Sequence, residues 1–133
     1  MANQFYPAGR RRFSAELLSG VIEVYLVDSA LYTPDFDADA NLSDIPAGAR
    51  VASAVLTGKS VTGDGVFDAS DTTFLAVSGA QSEYIIFVLN TGVEASSPVL
   101  AFFDTFASGM PVTPGGGNIV LTYSDGDSKI WKL

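Results

Sequence analysis

The sequence predicts a mainly β fold, an antiparallel β-sandwich or barrel of about seven or eight strands with one short N-terminal helix. From Val51 to Leu133 the chain is a series of short apolar runs separated by turn residues. Strands at this spacing, with few helices between them, are typical of sandwiches and barrels. Hydrophobic residues make up 47% of the 133 residues and charged residues 17%, so the chain has enough apolar material for one buried core.

Two parts are expected in the chain, an N-terminal arm over residues 1–12 and a single β-rich domain over residues 13–133. The arm ends in three consecutive arginines ahead of an apolar stretch, but Glu16 and Glu23 interrupt that stretch. We therefore predict no signal peptide. No uncharged apolar run approaches the roughly 18 residues that span a bilayer, so no membrane association is expected.

The arm itself combines aromatic and basic side chains. Phe5 and Tyr6 precede Arg10, Arg11 and Arg12, and the segment has neither helical nor strand periodicity. Aromatic side chains anchor protein contacts, and arginines suit carboxylate partners. The arm is therefore either a partly ordered terminus or a segment that docks on a neighbouring subunit.

The first elements of the domain follow from local patterns. Phe13–Ser19 is predicted to be the short helix, because apolar residues lie four apart in it and Gly20 can end its last turn. Val21–Val27 alternates with a period of two, which predicts a strand with one buried face. Ser29–Gly48 is polar and contains prolines, so we expect a surface loop.

The remaining predicted strands are apolar runs bounded by turn residues. They are Val51–Thr62 with a break near Gly58, Thr72–Val77, Tyr84–Leu89, Val99–Phe103, Ile119–Tyr123 and Lys129–Leu133. Tyr84–Leu89 is apolar on both faces, which predicts a central strand paired with Val99–Phe103. The last two runs are expected to form a second hairpin, with Trp131 near the end of the chain.

Composition argues against several functions. The formal net charge is −8, whereas a nucleic-acid-binding surface must be positive, so no nucleic acid partner is expected. The chain has no histidine and no cysteine, which removes the commonest general base, thiolate nucleophiles and disulfides. No carboxylate pair, P-loop or dinucleotide motif stands out. We predict that the protein is not an enzyme and needs no cofactor.

An acidic run is the one candidate for metal binding. Asp35, Asp37 and Asp39 alternate along the chain, and their oxygens could surround calcium. An EF-hand would need glycine where Ala40 stands and glutamate where Pro46 stands. We therefore favour a solvated acidic loop and predict no metal site.

Aromatic and methionine side chains are better candidates for protein contact, although most aromatics are expected in the core. Phe106 and Met110 lie among serine, glycine and proline residues, where a loop would expose them as an interface patch. The candidate contact residues are Phe5, Tyr6, Arg10, Arg11, Arg12, Phe106, Met110 and Trp131.

Five segments have a recognisable order and spacing. They are Ile22–Asp28 (IEVYLVD), Ile45–Ala52 (IPAGARVA), Leu56–Thr62 (LTGKSVT), Gly109–Pro114 (GMPVTP) and Lys129–Leu133 (KIWKL). Through them the chain resembles, from about Phe13 to its C-terminus, a family of small virion structural proteins of tailed phages and prophages. It departs from the family pattern in the arginine triplet, in Trp131 where phenylalanine is more typical, and in the acidic loop after Thr33.

The resemblance implies a head component, a decoration or cement protein on the outer capsid surface of the virion. Its partners would be the major capsid protein and further copies of itself, with a homotrimer expected at a threefold position. The arm would be the first contact with the capsid, and Phe106, Met110 and Trp131 the second. Two alternatives stay open: a tail or head-to-tail connector component, and a carbohydrate-binding β-sandwich whose aromatics stack on sugar rings.

Overall fold

The computed structural model describes Tyr6 and residues 15–62, 65–106, 108–123 and 129–132. Residues 15–19 form a short helix, α1. The nine strands of this described part are β1 (Val21–Val27), β2 (Arg50–Val55), β3 (Ser60–Val61), β4 (Val66–Asp68), β5 (Thr72–Phe74), β6 (Tyr84–Asn90), β7 (Val99–Phe103), β8 (Ile119–Leu121) and β9 (Trp131–Lys132). Single turns of 3-10 helix cover Leu42–Asp44, Ala47–Ala49 and Glu94–Ser96. The predicted mainly β class is confirmed.

The strands form three antiparallel sheets. The largest has four strands in the order β2-β1-β6-β7, and the smaller ones have the orders β3-β4-β9 and β5-β8. β6 and β7 pair antiparallel with Ile86 opposite Phe102, so the predicted pairing of these two strands is confirmed. The predicted break near Gly58 is also confirmed, because β2 ends at Val55 and β3 begins at Ser60.

The second predicted hairpin is wrong. β8 pairs with β5, where Ile119 lies opposite Phe74, and β9 pairs with β4, where Trp131 lies opposite Phe67. Turn residues between two runs favour a hairpin but do not choose the partner of each strand, and here each strand pairs with a more distant segment. β4 was not predicted, since three residues are too few to establish a period of two.

One face of the four-stranded sheet packs against the two smaller sheets. The buried side chains of this cluster are Ile22, Val24, Leu26, Leu56, Phe67, Ala69, Phe74, Val77, Ile85 and Phe87. Phe87 lies at its centre, with its ring centroid 5.6 Å from that of Phe103 and 5.4 Å from that of Trp131. Trp131 in turn stacks on Phe67 at 4.4 Å. These ring contacts join the four strands β4, β6, β7 and β9 in one core.

The opposite face of the same sheet is covered by the segment between β1 and β2. Tyr25, Val27, Ile86 and Val88 point to this side, and the covering residues are Leu42, Ile45 and Ala49. The prediction of a surface loop over Ser29–Gly48 is therefore wrong for part of its length, since Leu42 is 3% exposed and Ile45 0%. Two of its apolar side chains, Leu42 and Ile45, close the core, whereas Leu31 and Phe36 in the same segment remain exposed.

Arg50 fixes this cover to the edge of the sheet. Its Nε and Nη2 atoms donate to the carbonyl of Ile45 at 3.0 and 2.6 Å, and Nη2 also donates to the carbonyl of Leu42 at 2.9 Å. The guanidinium also forms an ion pair with Glu94. The Leu42 carbonyl also accepts from the Ile45 backbone N–H at 3.0 Å. Arg50 therefore adds a second donor to this carbonyl and ties both carbonyls to the edge of the sheet.

Replacing Leu42 by alanine tests whether this segment is part of the core. Leu42→Ala should lower the free energy of unfolding by about 2–5 kcal/mol, because it removes buried methyl groups and leaves a cavity. Leu31→Ala is the matched control in the same segment, since Leu31 is 57% exposed, and it should change stability by no more than about 0.5 kcal/mol. Urea denaturation measures both, and equal losses for the two variants would contradict the assignment.

Candidate functional site

A cleft runs between the edge strand β7 and the segment that follows β1. We call it the acidic cleft; it has a volume of about 190 Å³ and is lined by Tyr32, Pro34, Asp35, Phe36, Asp39, Ile86, Val99, Leu100, Ala101 and Phe102. Phe36 is 75% exposed although its ring lies edge-on to that of Phe102, with centroids 5.4 Å apart. The cleft therefore presents an aromatic side chain to solvent beside carboxylate groups.

The carboxylates hold the loop of the acidic cleft in shape. Asp39 Oδ2 accepts hydrogen bonds from the Tyr32 hydroxyl at 2.6 Å and from the Asp35 backbone N–H at 2.9 Å. Asp35 Oδ1 accepts from the backbone N–H groups of Asp37 and Ala38, each at 3.1 Å. These side chains replace the partners that a regular helix or sheet would supply, which is the usual role of aspartate in turns.

Two side chains in this segment, Asp44 and Tyr32, have shifted pKa values. The backbone N–H groups of Ala40 and Asn41 lower the pKa of the Asp44 carboxyl below its ordinary value, so this group stays ionised. Burial, followed by the hydrogen bond to Asp39, raises the pKa of the Tyr32 hydroxyl above its ordinary value. Tyr32 thus remains a neutral donor to the Asp39 carboxylate at neutral pH.

The structure also bears on the acidic run as a metal site. Among the described residues, no three carboxylates converge in a way that could hold a metal ion. Asp35 and Asp39 instead direct oxygens at backbone N–H groups of their own loop. The absence of a metal site remains a prediction.

Phe106 and Met110 lie between β7 and β8, and both are partly buried against the core. They line a second depression, of about 330 Å³, together with Glu83, Asp104, Thr105 and Pro111. We call this the contact patch. Glu83 accepts a hydrogen bond from the Ser29 hydroxyl at 2.9 Å, and Asp104 is exposed. Two apolar side chains bordered by two carboxylates suit a partner that brings a basic group.

Another, larger depression adjoins the contact patch and shares Thr105 and Phe106 with it. It has a volume of about 460 Å³, and its lining includes Phe87, Phe103, Leu121 and Tyr123. The Tyr123 hydroxyl lies 2.6 Å from the Thr72 hydroxyl, which gives this partly buried polar group a partner. Burial, reinforced by the nearby Asp71 and Asp68 carboxylates, raises the pKa of Tyr123 to about 12.

The other candidate contact residues lie in different surroundings. Tyr6 is 84% exposed. Trp131 is partly buried through its stacking on Phe67, so its ring is committed largely to the core. Phe5, Arg10, Arg11 and Arg12 lie outside the described residues, as does most of the predicted arm. The predicted contact residues thus do not form one surface in the described part of the chain.

Sequence reasoning missed the acidic cleft. Phe36 stands between two aspartates in a polar loop, and an isolated aromatic residue there was the available signal. From the sequence alone, Phe102 is predicted to be a core residue, because its strand is apolar on both faces. The two come together through the pairing of β7 with β6 and the packing of the Tyr32–Asp39 segment beside it.

No family model matches the chain, and no curated protein matches it. Within the described residues no helix is long and apolar enough to cross a membrane.

Alkaline pH should destabilise the fold. Tyr25, like Tyr123, has its pKa raised to about 12 by burial, so both hydroxyls bind protons more tightly in the folded than in the unfolded chain. Their contribution to stability is complete below pH 10.0, the ordinary pKa, and is lost as the pH rises through about 12. The free energy of unfolding should therefore fall over this interval in urea titrations. Tyr123→Phe should show a shallower fall, and an unchanged slope would contradict the assignment.

Proposed function

We propose that this protein is a decoration, or cement, protein on the outer surface of a tailed-phage capsid. The observation that carries the proposal is the sequence resemblance over most of the chain to small virion structural proteins. Several residues in the segments that carry this resemblance are buried in the core, where they support the fold. Ile45 and Ala49 are 0% exposed and Leu56 is 3% exposed. A common core pattern supports a common fold, and through it the function that the resemblance implies.

The proposed activity is mechanical. A cement protein bridges neighbouring capsomers, and the area buried in those contacts must be exposed again before the shell can rupture. A specific protein interface buries about 1,200–2,000 Å² in total. The buried area summed over many copies would therefore stabilise the shell strongly. Because the protein binds the assembled shell and not its separated parts, binding shifts the equilibrium towards assembly by mass action. This role requires no catalytic group and no cofactor.

Two regions of the chain are proposed to make the contacts. The arm over residues 1–12 contacts the shell or a neighbouring subunit through its aromatic side chains and arginines. The contact patch around Phe106 and Met110, with Trp131 packed in the adjoining core, contacts the major capsid protein. Glu83 and Asp104 favour a basic side chain on the capsid at this second contact. A homotrimer would match a threefold or quasi-threefold position on the shell.

Cryo-electron microscopy of purified particles that carry this chain tests the proposal. We expect many copies distributed over the outer surface of the head, at positions related by the shell symmetry. A single ring at one vertex or along the tail would overturn decoration and favour a connector or tail component. Particles without the chain would overturn both assignments.

Charge reversal at the contact patch tests the second contact. Asp104→Lys should weaken binding to particles by about tenfold, because it places like charges against the basic capsid group that we propose. Glu16→Lys, at an exposed position of α1, is the matched control with the same change in net charge. Co-sedimentation with particles measures occupancy, and thermal unfolding verifies that both variants fold. Equal occupancy of the two variants would remove the patch from the interface.

A further inference from the structure

Charge is divided unequally along the chain. The first twelve residues hold three of the seven basic residues and no acidic one. The remaining residues hold four basic and all 15 acidic side chains, which gives them a formal charge of −11. Oppositely charged segments of this kind attract each other when geometry allows.

Part of this negative charge lies at the acidic cleft. Between Arg12 and Arg50 the sequence contains seven acidic residues and no lysine or arginine. The described residues that line the cleft include the carboxylates of Asp35 and Asp39 and no basic side chain. The remaining walls are apolar, and Phe36 and Phe102 supply aromatic surface.

The arm carries the complementary chemistry in a compact order. Phe5, Tyr6 and Pro7 are aromatic or apolar residues, and the arginine triplet follows within a few positions. Aromatic side chains pack edge-on against one another, and arginines pair with carboxylates in two-pronged contacts. In a single chain Tyr6 is 84% exposed and Phe36 is 75% exposed. One copy by itself therefore leaves both aromatic groups facing water.

We propose that the arm of one copy, residues 1–12, docks in the acidic cleft of a second copy. Phe5 and Tyr6 cover Phe36 and the adjoining edge of β7, while the arginines pair with carboxylates of the Tyr32–Asp39 segment. Twelve extended residues span at most about 40 Å, which is enough to reach a neighbouring molecule of this size.

This contact determines how copies assemble. The arm and the cleft are different surfaces, so each copy gives one arm and receives another. Such head-to-tail contacts close into a ring when the rotation between copies permits, and a trimeric ring agrees with the expected threefold symmetry. The inference does not need the capsid, because both partners belong to this chain.

The oligomeric state of the purified full-length protein, without particles, tests the inference. The parent protein should sediment as a closed oligomer at low ionic strength and dissociate as salt is raised, because salt screens the exposed charge pairs. Replacing all three arginines by glutamate should raise the dissociation constant about tenfold or more. Replacing them by lysine should retain most of the association. A parent that remains monomeric, or an unaffected glutamate variant, would overturn the inference.

The aromatic half of the contact has its own matched pair of variants. Phe36→Ser should weaken association, whereas Leu75→Ser should not, although Leu75 is equally exposed at 74% and lies on the connection after β5, outside the cleft. Equal effects of the two variants would overturn the assignment of the cleft. Both positions are exposed, so neither substitution removes a core side chain.

Disulfide trapping distinguishes exchange between copies from docking within one copy. The chain has no cysteine, so introduced thiols are the only ones. A mixture of Tyr6→Cys and Phe36→Cys chains should oxidise mainly to the mixed dimer. The doubly substituted chain should give linked oligomers on a non-reducing gel. An internal disulfide in single chains, or no mixed dimer above the homodimer background, would overturn the inference. Each result is obtained without a capsid, so it leaves the proposed function to be judged separately.

Discussion

The burial of β1 and β6 on both faces is the constraint on which the rest of the structure depends. Ile22, Val24 and Leu26 face one side of the central sheet, and Tyr25 and Val27 face the other, all with little exposure. A sheet that is apolar on both sides needs two separate covers, since apolar surface left in water is costly. The small sheets β3-β4-β9 and β5-β8 provide one cover, and the irregular segment between β1 and β2 provides the other.

The irregular cover explains why so many carboxylates stand in one segment. A loop packed on a core cannot leave its backbone N–H and carbonyl groups without partners. Here Asp35, Asp39 and Asp44 accept from loop N–H groups, and Arg50 donates to loop carbonyls. The acidic residues therefore have a structural role that does not depend on any ligand. Asp35 and Asp39 also line the acidic cleft, so the same arrangement places carboxylates beside the exposed ring of Phe36.

The two proposed contact surfaces lie at different places in the fold. The contact patch lies between β7 and β8 beside a second surface depression, and its apolar side chains are partly packed against the core. The acidic cleft lies at the outer edge of β7, where the central sheet ends and a further chain can approach. An assembly in which copies join through their clefts would leave the contact patches free for another partner, so the two proposals are compatible.

The sequence by itself determined the mainly β class, the strand β1 and the pairing of β6 with β7, because periods of two and doubly apolar runs are local properties of the chain. Only the tertiary structure decided that β8 and β9 pair with β5 and β4, that Leu42 and Ile45 belong to the core, and that Phe36 lies beside Phe102. Each of these outcomes depends on contacts between residues far apart in the chain. Local propensity limits the candidates for such contacts, and packing of the whole core selects among them.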